Sequence, residues 1–288
     1  MPPPRFDPRL TPARPDLAAE FLRGTIEAAR YVEGERFGIV AASAPLRRAP
    51  DPEAPLDSEA LFGETAIVYE ARGDWRWAQL ERDGYVGWLP AAALGAARLA
   101  THKILALRAH AYPAPSIKRP PRLALSLGAR LEIERFEAGF AVTVDSLFVY
   151  AKHVAPLAAR EPDFVAVAER FLETPYLWGG RTSEGIDCSG LAQTALAAAG
   201  VAAPRDSDLQ QAALGASIAQ DDLRRGDLVF WKGHVGIMRD ATTLLHANAW
   251  AMQVASEPLA EAVARIENSG GGAIVSIRRL MEAEAAPV

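Results

Sequence analysis

Cysteine occurs once in the 288 residues, at Cys188, so no intramolecular disulfide can form and a lone thiol is left to explain. No run approaches the roughly 20 apolar residues of a membrane span. The start, Met1-Pro2-Pro3-Pro4-Arg5-Phe6-Asp7, has no apolar core of the kind a signal peptide carries. These absences set the expectation of a cytoplasmic protein with no membrane partner. Clustered basic charge is missing too. The net charge is −5 and the Arg pairs Arg47-Arg48, Arg224-Arg225 and Arg278-Arg279 stand far apart, so nucleic acid is not an expected partner. What is present is ordinary globular material: half the residues are apolar and 23% charged, and the length suits two or three domains with cores of their own.

Residues 1–35 open with a Pro-rich arm and continue into Asp16–Val32, where Leu17, Phe21, Leu22 and Ile26 are spaced for one helical face; the segment is expected to be peripheral. From Arg36 the pattern changes to short β-type runs broken by Gly, Asp and Pro, at Phe37–Ala41, Ala66–Tyr69, Trp75–Leu80 and Tyr85–Leu89. The same style returns at Ile104–Arg108, Leu131–Arg135, Phe140–Val144 and Phe148–Ala151. Two small barrels are expected, over 36–98 and 99–157.

After Pro156 the period lengthens, with Phe164, Val167, Ala168, Phe171 and Leu172 on one helical face as far as Thr174-Pro175. A second, Ala-rich helix is expected from Cys188 to Ala199, with Gly200 just past its end. Strands follow at Asp227–Trp231, Val235–Arg239, Thr243–Ala247 and Ala273–Arg278, and Ala255–Ala264 reads as a helical or loop insertion. Residues 158–288 thus form an expected α+β domain.

Cys188 lies in Gly185-Ile186-Asp187-Cys188-Ser189-Gly190-Leu191, where a loop meets the Ala-rich helix. Unpaired N–H groups at a helix N-terminus favour the thiolate, which is the reactive form. A lone cysteine is more often a small buried hydrophobe, but the glycines around this one allow tight turning and close approach by a substrate. A thiol needs an imidazole to take its proton, and that imidazole needs a third group to hold its tautomer. His234 stands between two strand-like runs in Gly233-His234-Val235-Gly236, and His246 follows twelve residues later on the next run. Adjacent antiparallel strands can bring both imidazoles to the helix N-terminus. His102, His110 and His153 have no such setting and read as structural.

Tyr176-Leu177-Trp178-Gly179-Gly180, Asp187-Cys188-Ser189-Gly190-Leu191, Gly226-Asp227-Leu228-Val229-Phe230, Gly233-His234-Val235-Gly236-Ile237 and His246 occur in an order that resembles the NlpC-type cell-wall cysteine peptidases over roughly residues 160–280. The resemblance implies a papain-like fold, a Cys188, His234 and His246 triad, and a Tyr176 hydroxyl aimed at the developing oxyanion. Leu61-Phe62-Gly63-Glu64, Gly84-Tyr85-Val86-Gly87-Trp88-Leu89-Pro90 and Pro204-Arg205-Asp206-Ser207-Asp208 are similar to the γ-D-glutamyl-L-diamino acid endopeptidases, or dipeptidyl-peptidases VI. That likeness implies SH3-like barrels ahead of the peptidase domain and a murein tripeptide with a free N-terminal L-Ala as substrate. It implies that a barrel acid (Asp57, or Glu59 as the alternative), Tyr85 and Asp206 hold the substrate amine, with Asp187, Ser189 and Ser207 lining the site. The Gln79–Gly84 stretch is shorter than in that family, so the wall it forms is expected to differ.

Three other readings compete. A papain-like acyltransferase or amidase shares the thioester chemistry and is separated by its products. An inert cell-wall fragment-binding protein would show a substitution at Cys188 or His234, and neither is present. A zinc site from Cys188, His234 and His246 lacks paired-ligand spacing, and no metal or cofactor is expected.

Overall fold

The computed structural model describes residues 6–280 and contains two compact units, Met1–Leu157 and Ala158–Val288. The expected packing of the Pro-rich arm at Met1–Arg5 lies outside the described residues.

The first unit is built of strands. One antiparallel sheet of seven runs in the order Leu94–Gly95, Glu35–Ile39, Thr65–Arg72, Trp75–Leu80, Val86–Pro90, Ser43–Arg47 and Leu56–Leu61. Alternation along these strands sends Ile39, Leu46, Ala66, Leu80 and Leu89 into a common core, which Tyr85, just ahead of Val86–Pro90, joins. Farther along, His102–Ile104 pairs with Arg130–Leu131 and Val154–Pro156 in a three-stranded sheet, and five more strands between Arg108 and Tyr150 form a separate sheet. Leu61 packs with Ile104, Leu125, Leu131 and Val149 in the core of this part.

The expected helix over 16–32 does not form. Ala13–Arg14 and Leu17–Ala19 pair antiparallel, Leu17–Ala19 pairs parallel with Tyr31–Val32, and only a single 3-10 turn, Glu20–Leu22, lies between them. Leu17, Ala18 and Ala19 are all fully buried, which three consecutive helical positions on a surface helix cannot be. They pack on Tyr69, Trp77 and Trp88, the outer aromatic face of the seven-stranded sheet, and the Arg14 guanidinium lies 4.2 Å from the Trp77 ring centre. Pro12 and Pro15 bring no N–H donors, and Gly24 at φ +81° turns the chain back. The segment covers apolar surface and is not peripheral.

The second unit is α+β, as the composition change after Pro156 indicates. A six-stranded sheet runs Ala216–Ser217, Ser276–Arg279, Leu228–Trp231, His234–Met238, Thr243–Asn248 and Gln253–Pro258, with every neighbouring pair antiparallel. Four helices accompany it: α1 (Phe164–Glu169), α2 (Cys188–Ala198), α3 (Ser207–Ala213) and α4 (Leu259–Asn268). Asp163 caps α1 by accepting from the Val165 and Ala166 amides at 2.9 and 3.3 Å. α2 is buried from Cys188 to Leu196 because its Ala positions let it lie close against the His234–Met238 and Thr243–Asn248 strands. α4 seals another layer, where Leu259 and Ala262 meet Val229, Trp231, Met238 and Leu244.

Candidate active site

Cys188 is the first residue of α2, and Asp187 is its N-cap. The Asp187 carboxylate holds the whole turn. Oδ1 accepts from the Gly190 amide at 2.7 Å and the Ser189 hydroxyl at 3.2 Å, and Oδ2 accepts from the Gly179 amide at 2.9 Å. Arg205 closes the arrangement with two bonds to that carboxylate, 2.9 and 2.7 Å, and a third to Ser189 Oγ at 2.8 Å. Gly190 is required by close approach, since a Cβ there would stand 2.3 Å from the Gly180 carbonyl oxygen. Asp187 and Ser189, expected to line the substrate, thus spend their hydrogen bonds on building the nucleophile's turn.

Burial pushes the Cys188 thiol up to about 12, and the negative charge of Asp187 adds to the rise. The backbone N–H groups of Val235 and Ser189, both turned on the sulfur, and the positive Arg205 work the other way. Arg205 therefore has two effects: it pairs a buried carboxylate and it cancels a charge that disfavours the thiolate. The Val235 amide also fixes where the sulfur is, beside the start of the His234–Met238 strand.

A two-residue hairpin loop, Lys232-Gly233, sets that start, with Gly233 at φ +74° and Trp231 paired across to His234. His234 Nε2 is 2.8 Å from His246 Nδ1. That contact engages His234 Nε2 and not Nδ1. Burial, then the neighbouring His246 and Arg265, lower the His234 imidazole to about 3, so the base rests neutral and able to accept a proton. Tyr176 is held between the Met252 carbonyl, which accepts its N–H at 2.9 Å, and Ile186 in a parallel bridge. Burial, followed by the charges of Cys188 and Asp187, raises its phenol, so the hydroxyl keeps the proton that an oxyanion donor needs.

The structure thus brings Cys188, His234, His246 and Tyr176 together. Asp206 and Ser207 open α3, which Gln210 ties to α2 through its amide bond to the Ser189 carbonyl at 2.9 Å, with a second bond to the Pro204 carbonyl ahead of α3 at 2.8 Å. Asp57 and Tyr85 belong to the first unit. There the Asp57 carboxylate takes the Arg48 guanidinium at 2.6 Å, and Tyr85 is buried in the sheet core. Sequence reasoning missed Arg205, Asn248, Glu257 and Arg265. Arg205 sat within a quoted block and a lone Arg before Asp-Ser-Asp gave a signal for a buried pair. Glu257 had none until the strand register was known. Among the described residues, no three His, Cys, Asp or Glu side chains stand as a metal-ligating group.

A thiol at a helix N-terminus, an imidazole on the adjoining strand and a second imidazole behind it define a papain-like cysteine peptidase. Residues 173–267 match the NlpC/P60 family and residues 46–94 match the bacterial dipeptidyl-peptidase SH3 domain. The chain therefore carries an NlpC/P60 peptidase domain together with a bacterial SH3 domain. It is 27% identical over 215 residues to the gamma-D-glutamyl-L-lysine dipeptidyl-peptidase of Bacillus subtilis (strain 168), which covers 67% of this chain and 72% of that one. The enzyme of the same name from Bacillus cereus (strain ATCC 10987 / NRS 248) is also 27% identical, over 61% of this chain and 60% of its own length. The crystal structure of an NlpC/P60 family protein from Bacillus cereus ATCC 10987 superposes with a TM-score of 0.72 at 21% identity, covering 85% of this chain and 99% of that one, and so shares the fold. No helix among the described residues is long and apolar enough to cross a membrane.

Proposed function

We propose that this protein hydrolyses the γ-D-glutamyl–diamino acid bond of cell-wall peptides that carry a free N-terminal L-Ala, in recycling of such peptides within the cytoplasm. The observation that supports the chemistry is the 2.8 Å contact between His234 Nε2 and His246 Nδ1, an imidazole pair in which one ring can orient the other as the base for Cys188. The names of the two relatives support the substrate class. His234 takes the thiol proton as sulfur attacks the γ-carbonyl carbon, and the oxyanion that forms is met by the Tyr176 hydroxyl. When the C–N bond breaks, His234 returns the proton to the departing amine, leaving a thioester on Cys188. Water, deprotonated by the same imidazole, then releases the dipeptide acid and restores the thiol. Burial raises the thiol and lowers the imidazole, and both effects favour moving the proton in step with attack.

Two expected results test this. L-Ala-γ-D-Glu-diaminopimelate or its lysine counterpart, incubated with the protein, is cut to L-Ala-D-Glu and the free diamino acid, identified by mass. The N-acetylated peptide is cut at least about 100-fold more slowly, because a pocket built for an ammonium group rejects its neutral analogue strongly. Asp206→Asn should erase part of that discrimination. Equal cleavage of both peptides would end the free-amine requirement. Among the imidazoles, His234→Ala is expected to cost more turnover than His246→Ala, since the base contributes more than the group that orients it. The reverse order, read in kcat on the tripeptide, would reassign the base.

A further inference from the structure

Behind His246 two groups compete for one nitrogen. His246 Nε2 lies 2.7 Å from Glu257 Oε1 and 3.0 Å from Asn248 Nδ2. A neutral imidazole nitrogen carries either a proton, which suits a carboxylate, or a lone pair, which suits an amide N–H. Asn248 is not free to turn its oxygen inward, because Oδ1 accepts the Ala251 amide at 2.7 Å. Glu257 is equally committed. Both of its oxygens take the Arg265 guanidinium from α4, and the hydrogen bond from His246, then those from Arg265, hold its carboxyl down at about 2. An ionised acceptor outweighs a neutral donor, so the proton sits on Nε2.

That single choice propagates. With Nε2 protonated, His246 Nδ1 has the lone pair and accepts from His234 Nε2, and His234 Nδ1 is then the unprotonated atom, the one to which the proposed mechanism delivers the thiol proton. Were Asn248 to win, every position would invert, and His234 would present N–H to Cys188. We propose that Glu257 is a positioning residue that sets the tautomer of the catalytic base through His246, against the opposing pull of Asn248. Strand register places it for this role: Glu257 is directly opposite Leu244 and His246 directly opposite Ala255, so the carboxylate and the imidazole share one face of the sheet, one diagonal apart. The proposal rests on the assignment of Cys188 and His234 as nucleophile and base.

Alkylation of Cys188 by iodoacetamide tests it without any peptide substrate. In Glu257→Gln, Arg265 binds the amide oxygen and leaves the amide N–H for His246 Nε2, so the relay inverts. The alkylation rate at neutral pH and kcat on a cleavable tripeptide should both fall by roughly 10²–10⁴-fold, as when a wrong tautomer is imposed on a catalytic imidazole. KM should stay unchanged. Asn248→Asp added to Glu257→Gln supplies a new carboxylate while keeping an oxygen for the Ala251 amide, and should recover at least about tenfold of the loss. Nitrogen NMR of the unsubstituted protein, labelled on histidine, should show the proton on Nε2 of both His234 and His246. A proton on His234 Nδ1, unchanged alkylation in Glu257→Gln, or no recovery in the double variant overturns the relay. Equal alkylation of the parent and His234→Ala is a different result, which removes the base itself and the relay with it.

Discussion

Cys188→Ala is expected to lower hydrolysis of a cleavable tripeptide by roughly 10⁴–10⁶-fold, the range seen when a covalent nucleophile is removed and only binding and oxyanion contacts remain. The fold should persist. Cys188 is the first residue of a helix, its substitute is the best helix former, and the change strands no buried charge; what it takes away is the sulfur that the Val235 and Ser189 amides face. Thermal unfolding should therefore stay within a few degrees of the parent, which separates loss of chemistry from loss of structure. Turnover within about tenfold of the parent would show that the thiol is not the nucleophile.

Arg205→Met is the largest expected effect on stability. The Arg205 side chain is 1% exposed and supplies two hydrogen bonds to a carboxylate that is itself 10% exposed. Its removal leaves Asp187 charged and buried without its partner, which costs about 3–5 kcal/mol. In a protein of this size that corresponds to a fall in Tm on the order of 10 °C. Activity should drop as well, because the positive charge that offsets Asp187 at the thiol is gone. Calorimetry of Arg205→Met and of the double variant Arg205→Met, Asp187→Leu gives a direct check. The double variant should regain stability, since no anion is then stranded. A Tm for Arg205→Met within about 2 °C of the parent would mean that water enters the site and the pair is not buried in solution.

Much of the second unit was legible because its signals are local. The 3.6-residue period before Thr174-Pro175 and the Ala run after Cys188 give α1 and α2, and the Gly-bounded apolar runs give the Leu228–Trp231, His234–Met238 and Thr243–Asn248 strands. The hydrogen bond between His234 and His246 follows from two such strands being adjacent. Other parts were hidden for physical reasons. Residues 16–32 carry a helical spacing, yet the apolar residues serve a tertiary surface of Trp77 and Trp88 that the local sequence does not encode. Ser43–Arg47 is a strand although Pro45 interrupts it, because its neighbours Leu46 and Ala44 are needed in the core. Glu257 became meaningful only with the pairing of Gln253–Pro258 against Thr243–Asn248, and Arg265 only with the docking of α4.

The position of the two histidines within the six-stranded sheet has a dynamic consequence. The His234–Met238 and Thr243–Asn248 strands are interior, each hydrogen-bonded on both sides, and buried side chains dominate both. Their amides should exchange with solvent deuterium only when the second unit opens as a whole. Tyr176, by contrast, is held through isolated bridges at Pro175 and Tyr176, next to the exposed Trp178. Amides there should exchange through local opening, many times faster. Under the proposed mechanism, proton transfer would be anchored in the slowest-opening part of the unit, while the Tyr176 hydroxyl would reach the oxyanion from a segment that yields as substrates enter and products leave.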